Sequence, residues 1–401
     1  MARVLIASLA LVVAACDGGG EPGDTDAVDA STEGTTETSG QPGETSSNPG
    51  TDGTTADETS AGSSSGGDSS GGDAGSSGDV PEGMPVIVSV AHGGQTARSC
   101  DGGRTWSDFH EFGIQDDHSD YAAFGGIAYG NGAWVAATGW GAAAHILRST
   151  DGVTWEDLAD DAFVTDEGPQ RPANGASGVE FVGDGFVLFA GSDLWRSEDG
   201  AVWTTDTPPT LGFDGHFREV QYLPDPGLLL LATEDYETPG SWTVQVSDDG
   251  GVSWQRGTGP TAACVGYVQH DGGFASHDGR LLLAGGTGPT CISDDAGLTW
   301  VEAGNVGVDI ADVLADADGF VVLAQSGEVF FSPDAQRWSP LGNAGLDGGR
   351  FAWHPELGFF GEGNGVFATS PDGARWTTAD TTPPEGYVEV REFAVGYLGG
   401  C

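Results

Sequence analysis

The sequence contains no lysine. All 13 basic side chains are arginine, set against 61 acidic ones in 401 residues. Chemistry that needs a lysine amine, whether a Schiff base or the P-loop phosphate contact, is therefore excluded. A formal net charge of -48 also excludes a ligand held mainly by phosphate contacts, because counterion release needs a basic surface. Nucleic acid is not an expected partner. Sulfur is scarce too, with 5 Cys and 2 Met. No His-Glu-x-x-His, Gly-x-Ser-x-Gly or Cys-x-x-Cys motif is present, nor a Gly-x-Gly-x-x-Gly between a strand and a helix, so no cofactor and no metal are implied.

The longest uncharged apolar run is at the start of the chain. Arg3 precedes Val4 to Val13, and Val13-Ala14-Ala15-Cys16 follows. A run of about ten residues is half of what a bilayer span requires. It resembles instead a bacterial lipoprotein signal, which implies that residues 1–15 are removed and that the Cys16 thiol is acylated. The bilayer is then the first expected partner and the cell envelope the expected location, with the rest of the protein periplasmic or surface-exposed. Asp17 leaves inner and outer membrane both open. Residues 16–84 form the next segment: from Asp17 to about Gly83 the chain is almost entirely Gly, Ser, Thr, Asp and Glu. It has nothing with which to bury a core and is expected to be a disordered tether with a mean span on the order of 45 Å.

Residues 85–401 repeat one phrase. It reads Ser99-Cys100-Asp101-Gly102-Gly103-Arg104-Thr105-Trp106 at the first occurrence and recurs around Asp151, Asp199, Asp249, Asp295, Asp334 and Asp372, each time closing on a Trp. The spacings between those tryptophans are 49, 48, 51, 46, 38 and 38 residues, the period of one four-stranded propeller blade. Two short apolar runs precede each phrase, as in Phe320 to Ala324 and Glu328 to Phe331, and a lead-in run such as Ala311 to Leu314 comes before them. The first phrase lacks that lead-in. Arg391-Glu392-Phe393-Ala394 aligns with Arg350-Phe351-Ala352-Trp353, so the C-terminus is expected to supply the missing strand and close the ring. The predicted fold is all-β: a seven-bladed β-propeller of four-stranded antiparallel blades over 85–401.

The phrase resembles the Asp-box of sialidases, xyloglucanases, sortilin-type receptors and photosystem assembly factors. Its chemistry is that of a folding device. The carboxylate accepts hydrogen bonds from turn amides, Gly permits positive φ, and Trp supplies an apolar face. The seven Asp and seven Trp are accordingly expected to be structural.

With Cys16 acylated, four cysteines remain and allow three pairings. In a propeller the end of the closing strand and the first repeat turn share one face of one blade, which favours Cys100 with Cys401. Cys264 and Cys291 then meet on the opposite face at the fifth blade. Four free thiols are the alternative. An oxidising compartment suits the disulfides.

The Asp-box resemblance implies ligand binding at the central funnel, on the face opposite the repeat turns. Candidates for that face are Arg218, Arg350 and Arg391, which begin the innermost strands of three blades and together would grip a carboxylate, sulfate or phosphate. The alternative is that each pairs with an acid such as Glu219 or Glu392. His92, His216, Trp140, Tyr236 and Trp242 are further candidates, the aromatics for stacking on sugars or anchoring a protein. The Asp116-Asp117-His118-Ser119-Asp120 cluster reads as a solvated acidic loop. The chain departs from sialidases in having no Phe/Tyr-Arg-Ile-Pro segment, seven blades rather than six, and no Tyr placed beside a Glu as nucleophile. Catalytic residues are not assigned. The expected function is a non-catalytic, membrane-anchored propeller that binds a protein or glycan at its funnel as a monomer. The alternative is a glycoside hydrolase, sialidase-like or xyloglucanase-like, using two carboxylates on extracellular glycans.

Overall fold

The computed structural model describes residues 83–92, 94–112, 124–138, 144–166, 168–172, 175–190, 193–205, 215–235, 242–259, 264, 272–384, 387 and 390–401, the side chains of 124, 215–219, 234, 235 and 242 excepted. Cys16 with its signal, the tether, the Asp116 to Asp120 cluster, Trp140 and Tyr236 lie outside these residues, as do the side chains of His216, Arg218, Glu219 and Trp242. Among the described residues no helix is long and apolar enough to cross a membrane.

Seven antiparallel sheets follow one another along the chain as propeller blades. Blade 1 is built from both ends of the propeller. Val390–Leu398 is its innermost strand, followed outward by Met84–Ala91, Gln95–Ser99 and Ser107–Glu111. The two terminal segments pair from Met84↔Leu398 to Ala91↔Val390, so backbone hydrogen bonds close the ring and remove two sheet edges. Blades 2 to 7 occupy 124–157, 176–205, 215–256, 273–304, 310–343 and 350–378. One departure from uniform four-stranded blades is found in blade 3. The chain entering it forms a small hairpin, Phe163–Thr165 and Gly168–Pro169, whose first strand adds in parallel to the outer strand Trp203–Thr205. This sheet has six strands, and its outer edge is covered.

Why each blade stands on its neighbour is visible in the repeat turn. At the first, the Asp101 carboxylate accepts from the Thr105 amide at 2.8 Å and from its hydroxyl at 2.8 Å. The Ser99 hydroxyl accepts from the Gly103 amide at 2.8 Å, and the Trp106 indole donates to the Gly103 carbonyl at 3.0 Å. That turn delivers the indole against the preceding blade, where Trp106 stacks on Phe367 of blade 7 with centroids 4.1 Å apart. Trp203 and Trp300 are likewise buried against blades 2 and 4. Removing about 200 Å² of indole from water stabilises by roughly 5 kcal/mol before entropy is counted. Arginines add a second staple along the same face. Arg98 donates to the Asp151 carbonyl of the next blade at 3.0 Å, Arg148 to that of Asp199 at 2.9 Å, Arg196 to that of Gly250 at 2.8 Å, and Arg280 to that of Asp334 at 2.9 Å.

A third device lies on the innermost strands, where a polar side chain of one blade satisfies a backbone amide of the next. Glu392 accepts from Ile127 at 3.0 Å, Asp312 from Phe351 at 3.0 Å, and Gln221 from Phe274 at 3.0 Å. Glycine makes room where this happens. A Cβ on Gly126 would stand 2.7 Å from the Glu392 carboxylate. Near their ends opposite the repeat turns, five innermost strands carry a bulge, with Gly125, Ser177, Arg218, Ala311 and Arg391 as the extra residues. Bulges bend a strand and terminate regular pairing, which curves these strands away at one mouth of the ring.

Both disulfides expected from the topology are formed. Cys100–Cys401 joins the first repeat turn to the chain end with Cα atoms 6.1 Å apart, and Cys264–Cys291 joins the connection entering blade 5 to that blade's third strand at 6.0 Å. The second pair is fully buried.

Candidate functional site

The sequence points to the face opposite the repeat turns, and there Arg350, Asp312 and Glu392 hold neighbouring blades together. Arg350 begins the innermost strand of blade 7, but its guanidinium turns back across two blades. It donates to the Ala311 carbonyl at 3.1 Å and to the Gly272 carbonyl at 3.4 Å, and pairs with Asp312 at 3.5 Å. Burial pushes the Asp312 carboxyl up, while Arg350 and the amides of Phe351 and Val313 oppose that shift. Arg391 is the extra residue of the bulge facing Val90 and Ala91, and its side chain is half-buried. Arg218 holds the same bulge position in blade 4. His92 follows the strand Met84–Ala91 and is half-buried. Glu392, a candidate partner for Arg391, reaches the adjacent blade and accepts from Ile127. Asp160, before the hairpin that enters blade 3, pairs with Arg171 at 2.5 Å.

A recess lies instead on the repeat-turn face, between blades 7 and 1. It is an open groove of about 470 Å³. Met84, Pro85 and Leu357 supply its apolar lining, and Glu356, Arg104 and Asp101 its charged rim. Three constraints fix its walls. The Cys100–Cys401 bond holds the chain end against the first turn. Gly103, at φ +85°, lets that turn sit so close to blade 7 that a Cβ would meet the Thr369 methyl at 2.8 Å. The Asp380 amide donates to the Arg104 carbonyl at 3.0 Å, tying the outer end of blade 7 to the same turn.

Beside the groove the innermost strands of blades 7, 1 and 2 end in a polar network. The Glu356 amide donates to His354 Nδ1 at 3.3 Å, which makes Nδ1 an acceptor and assigns the imidazole proton to Nε2. Nε2 lies 3.1 Å from the Tyr397 hydroxyl, which donates to Glu356 Oε1 at 3.4 Å, and Tyr129 donates to the Tyr397 carbonyl at 3.0 Å. Burial holds the His354 pKa below its usual value, so it is neutral near pH 7. A Tyr beside a Glu is thus present after all, brought together by the ring closure from positions 41 residues apart. Burial and the Glu356 charge both push the Tyr397 pKa up.

Sequence reasoning missed this site because no motif marks it. Met84 and Leu357 are far apart in the chain, as are Glu356 and Tyr397. The one available signal was Cys100 within the first repeat turn.

No family model and no curated protein matches the chain. Solved structures align with it at low identity. A structure described as YCF48 bound to D1 peptide aligns at 15% identity with a TM-score of 0.47, covering 72% of this chain and 91% of that one. A nidogen/laminin complex aligns at 11% identity and 0.42, covering 79% and 100%. BamB from Moraxella catarrhalis aligns at 13% and 0.39, covering 74% and 85%. The class defined is a seven-bladed β-propeller closed by its C-terminal strand.

Proposed function

We propose that this chain is an exported, lipid-anchored propeller of Asp-box type that binds a segment of a protein partner in the groove between blades 7 and 1, without catalysis. The groove carries the proposal. It is preformed, since a disulfide and tight backbone contacts set its walls, and a preformed recess spares the ordering cost of binding. It is also open to solvent and lined by Met84, Pro85 and Leu357 together with Glu356, Arg104 and Asp101, which suits a protein segment better than a small molecule enclosed on most sides. Support for export comes from two disulfides and from the Val13-Ala14-Ala15-Cys16 sequence behind a short apolar run. The Asp-box assignment is supported by the recurrence of the carboxylate-to-amide bonds at Asp101, Asp151, Asp199, Asp249, Asp334 and Asp372.

The test places a photo-crosslinking amino acid at Leu357 in the groove or at Ser326 on the opposite face, in cells that make the protein. Protein adducts from position 357 and none from 326 are expected. Adducts from 326 alone would move the site to the opposite face. Reducing-end release from a polysaccharide panel, lost on Glu356→Gln, would replace binding by hydrolysis. Mass spectrometry of the mature N-terminus tests the anchor, with a diacylated or triacylated Cys16 expected.

A further inference from the structure

Among the described residues, four blades hand an arginine to the repeat turn of the next blade. In blades 1, 2 and 3 it stands directly before the serine that opens the blade's own turn, as Arg98, Arg148 and Arg196. In blade 5 it is Arg280, which opens the second strand and pairs there with His277. Arg280 sets Nε and Nη2 on the Asp294 carboxylate at 2.7 and 3.0 Å and Nη1 on the Asp334 carbonyl at 2.9 Å. Arg98 repeats this with the Asp108 carboxylate, at 3.1 and 2.9 Å, and the Asp151 carbonyl, at 3.0 Å. Each of these two guanidiniums lies between a carboxylate of its own blade and a turn carbonyl of the next.

Blades 4, 6 and 7 carry Val246, Phe331 and Thr369 before the serine instead. The first two fill the place with apolar bulk. A Cβ on Gly297 of the next turn would stand 2.7 Å from a Val246 methyl, and Phe331 packs on the cluster shared by blades 6 and 7. Thr369 is small, and the other source of arginine is missing from blade 7 as well: Gly358 pairs with His354 where Arg280 pairs with His277. The turns of blades 1 and 4 show what is lacking, because they have equal length and the same internal bonds. In both, the opening serine accepts from the amide of the second glycine, Gly103 or Gly251, whose carbonyl accepts from the tryptophan indole. A Cβ on Gly251 would meet Arg196 Nη2 at 3.3 Å, whereas one on Gly103 would meet the Thr369 methyl. Arg196 donates to the Gly250 carbonyl, but its counterpart, the Gly102 carbonyl, takes no hydrogen bond among the described residues. Arg104 does not replace the staple, since its Nε is on the Asp101 carbonyl of its own turn.

We propose that the groove between blades 7 and 1 takes an arginine side chain of the protein partner, in the place of the staple that this junction lacks. The guanidinium lies between the Glu356 carboxylate of blade 7 and the Gly102 carbonyl of blade 1, both of which line the groove, as Arg280 lies between Asp294 and Asp334. Glu356 is exposed and accepts from the Tyr397 hydroxyl through Oε1, so its other oxygen is left for the incoming group. The aliphatic stem packs on Leu357, whose methyl stands 3.6 Å from a Cβ on Gly102. The matching recess between blades 5 and 6, which Arg280 lines, measures about 320 Å³ against about 470 Å³ here. A net charge of -48 attracts a cationic segment. Arginine is favoured over lysine because its planar fork can meet a carboxylate and a carbonyl together. This inference rests on the groove being the binding site and names the side chain that it recognises.

Selection of a displayed random peptide library on the purified protein tests it, with Thr369→Arg as the counter-selection. That substitution rebuilds the staple from within the chain, in the setting that Arg196 already occupies beside Gly251, and should leave the melting temperature unchanged or raised. Peptides held by the parent protein and not by Thr369→Arg are expected to share an arginine. In a synthetic copy of the tightest one, citrulline in its place should raise the dissociation constant at least about tenfold and lysine at least about threefold, and Glu356→Gln should raise it at least about fivefold. Peptides sensitive to Thr369→Arg but indifferent to citrulline overturn the arginine and leave the groove standing as a protein site. A library with no peptide sensitive to Thr369→Arg also overturns it, and adducts from position 357 then decide separately whether the groove binds protein. Should Thr369→Arg fail to fold, an arginine peptide that binds Glu356→Gln as tightly as the parent overturns the proposal.

Discussion

Removing the ring-closing disulfide by Cys100→Ala/Cys401→Ala isolates how much of the closure is covalent. The two cysteines are 301 residues apart, and the chain-entropy relation assigns about 6 kcal/mol at 25 °C to closing a loop of that size in the unfolded ensemble. The folded state loses little, because the strand Val390–Leu398 stays paired with Met84–Ala91 from end to end, Glu392 still accepts from Ile127, and Tyr129 still donates to the Tyr397 carbonyl. The exposed Cys401 leaves no cavity behind. The Cys264–Cys291 pair is a poorer probe: its loop of 27 residues corresponds to about 3.5 kcal/mol, and its removal also empties a fully buried site. Guanidinium unfolding followed by tryptophan fluorescence should therefore show a loss of several kcal/mol for the ring-closing pair, with unchanged near-ultraviolet dichroism of the native state. A loss under about 1 kcal/mol would refute the reasoning and assign closure to strand pairing alone.

Three further outcomes follow from the blade contacts. Gly126→Ala places a methyl 2.7 Å from the Glu392 carboxylate, so it should cost about 1–3 kcal/mol in chemical denaturation, more than the same change at Gly399, where a Cβ meets nothing and φ is not positive. Arg350→Met leaves the Asp312 carboxylate without its cation, and a loss of about 3–5 kcal/mol is expected. Since the folded-state pKa of Asp312 is already raised, its ionisation opposes folding, and the variant should lose further stability as pH rises through that pKa. The repeat-turn aspartates act with the opposite sign. At Asp249 burial raises the pKa, but the Ser253 hydroxyl and amide outweigh it and hold the carboxyl at about 2. Asp372, held by the Arg375 amide and guanidinium, is also at about 2. Depressed carboxylates stabilise the fold above their unfolded pKa, so acid titration followed by dichroism should show stability falling from about pH 4 downward, and Asp249→Asn should flatten part of that fall.

The sequence by itself determined the architecture, because the information is periodic and local. Each Ser-x-Asp turn builds its own hydrogen bonds within a few residues and delivers its tryptophan to the preceding blade, so seven copies define seven blades. The closure was legible for the same reason: the first repeat lacks a strand that Arg391 to Gly396 can supply. The disulfides followed once the ring fixed which blade ends share a face. What the chain order did not contain was the use made of its charges. Arg350 reads as a funnel residue and Glu392 as an acid that pairs with a nearby arginine, yet the partners of Arg350, Asp312 and Glu392 lie on neighbouring blades about 40 to 270 residues away along the chain, and only the closed ring brings them into range. The groove is of the same kind. Met84 and Leu357 become neighbours because a closed propeller sets its last blade against its first, and the network of His354, Glu356, Tyr397 and Tyr129 exists only where three innermost strands end side by side. The hairpin at Phe163 escaped notice because three residues of strand carry too little periodicity to be seen, and only the exposed edge of blade 3 gives them something to pair with.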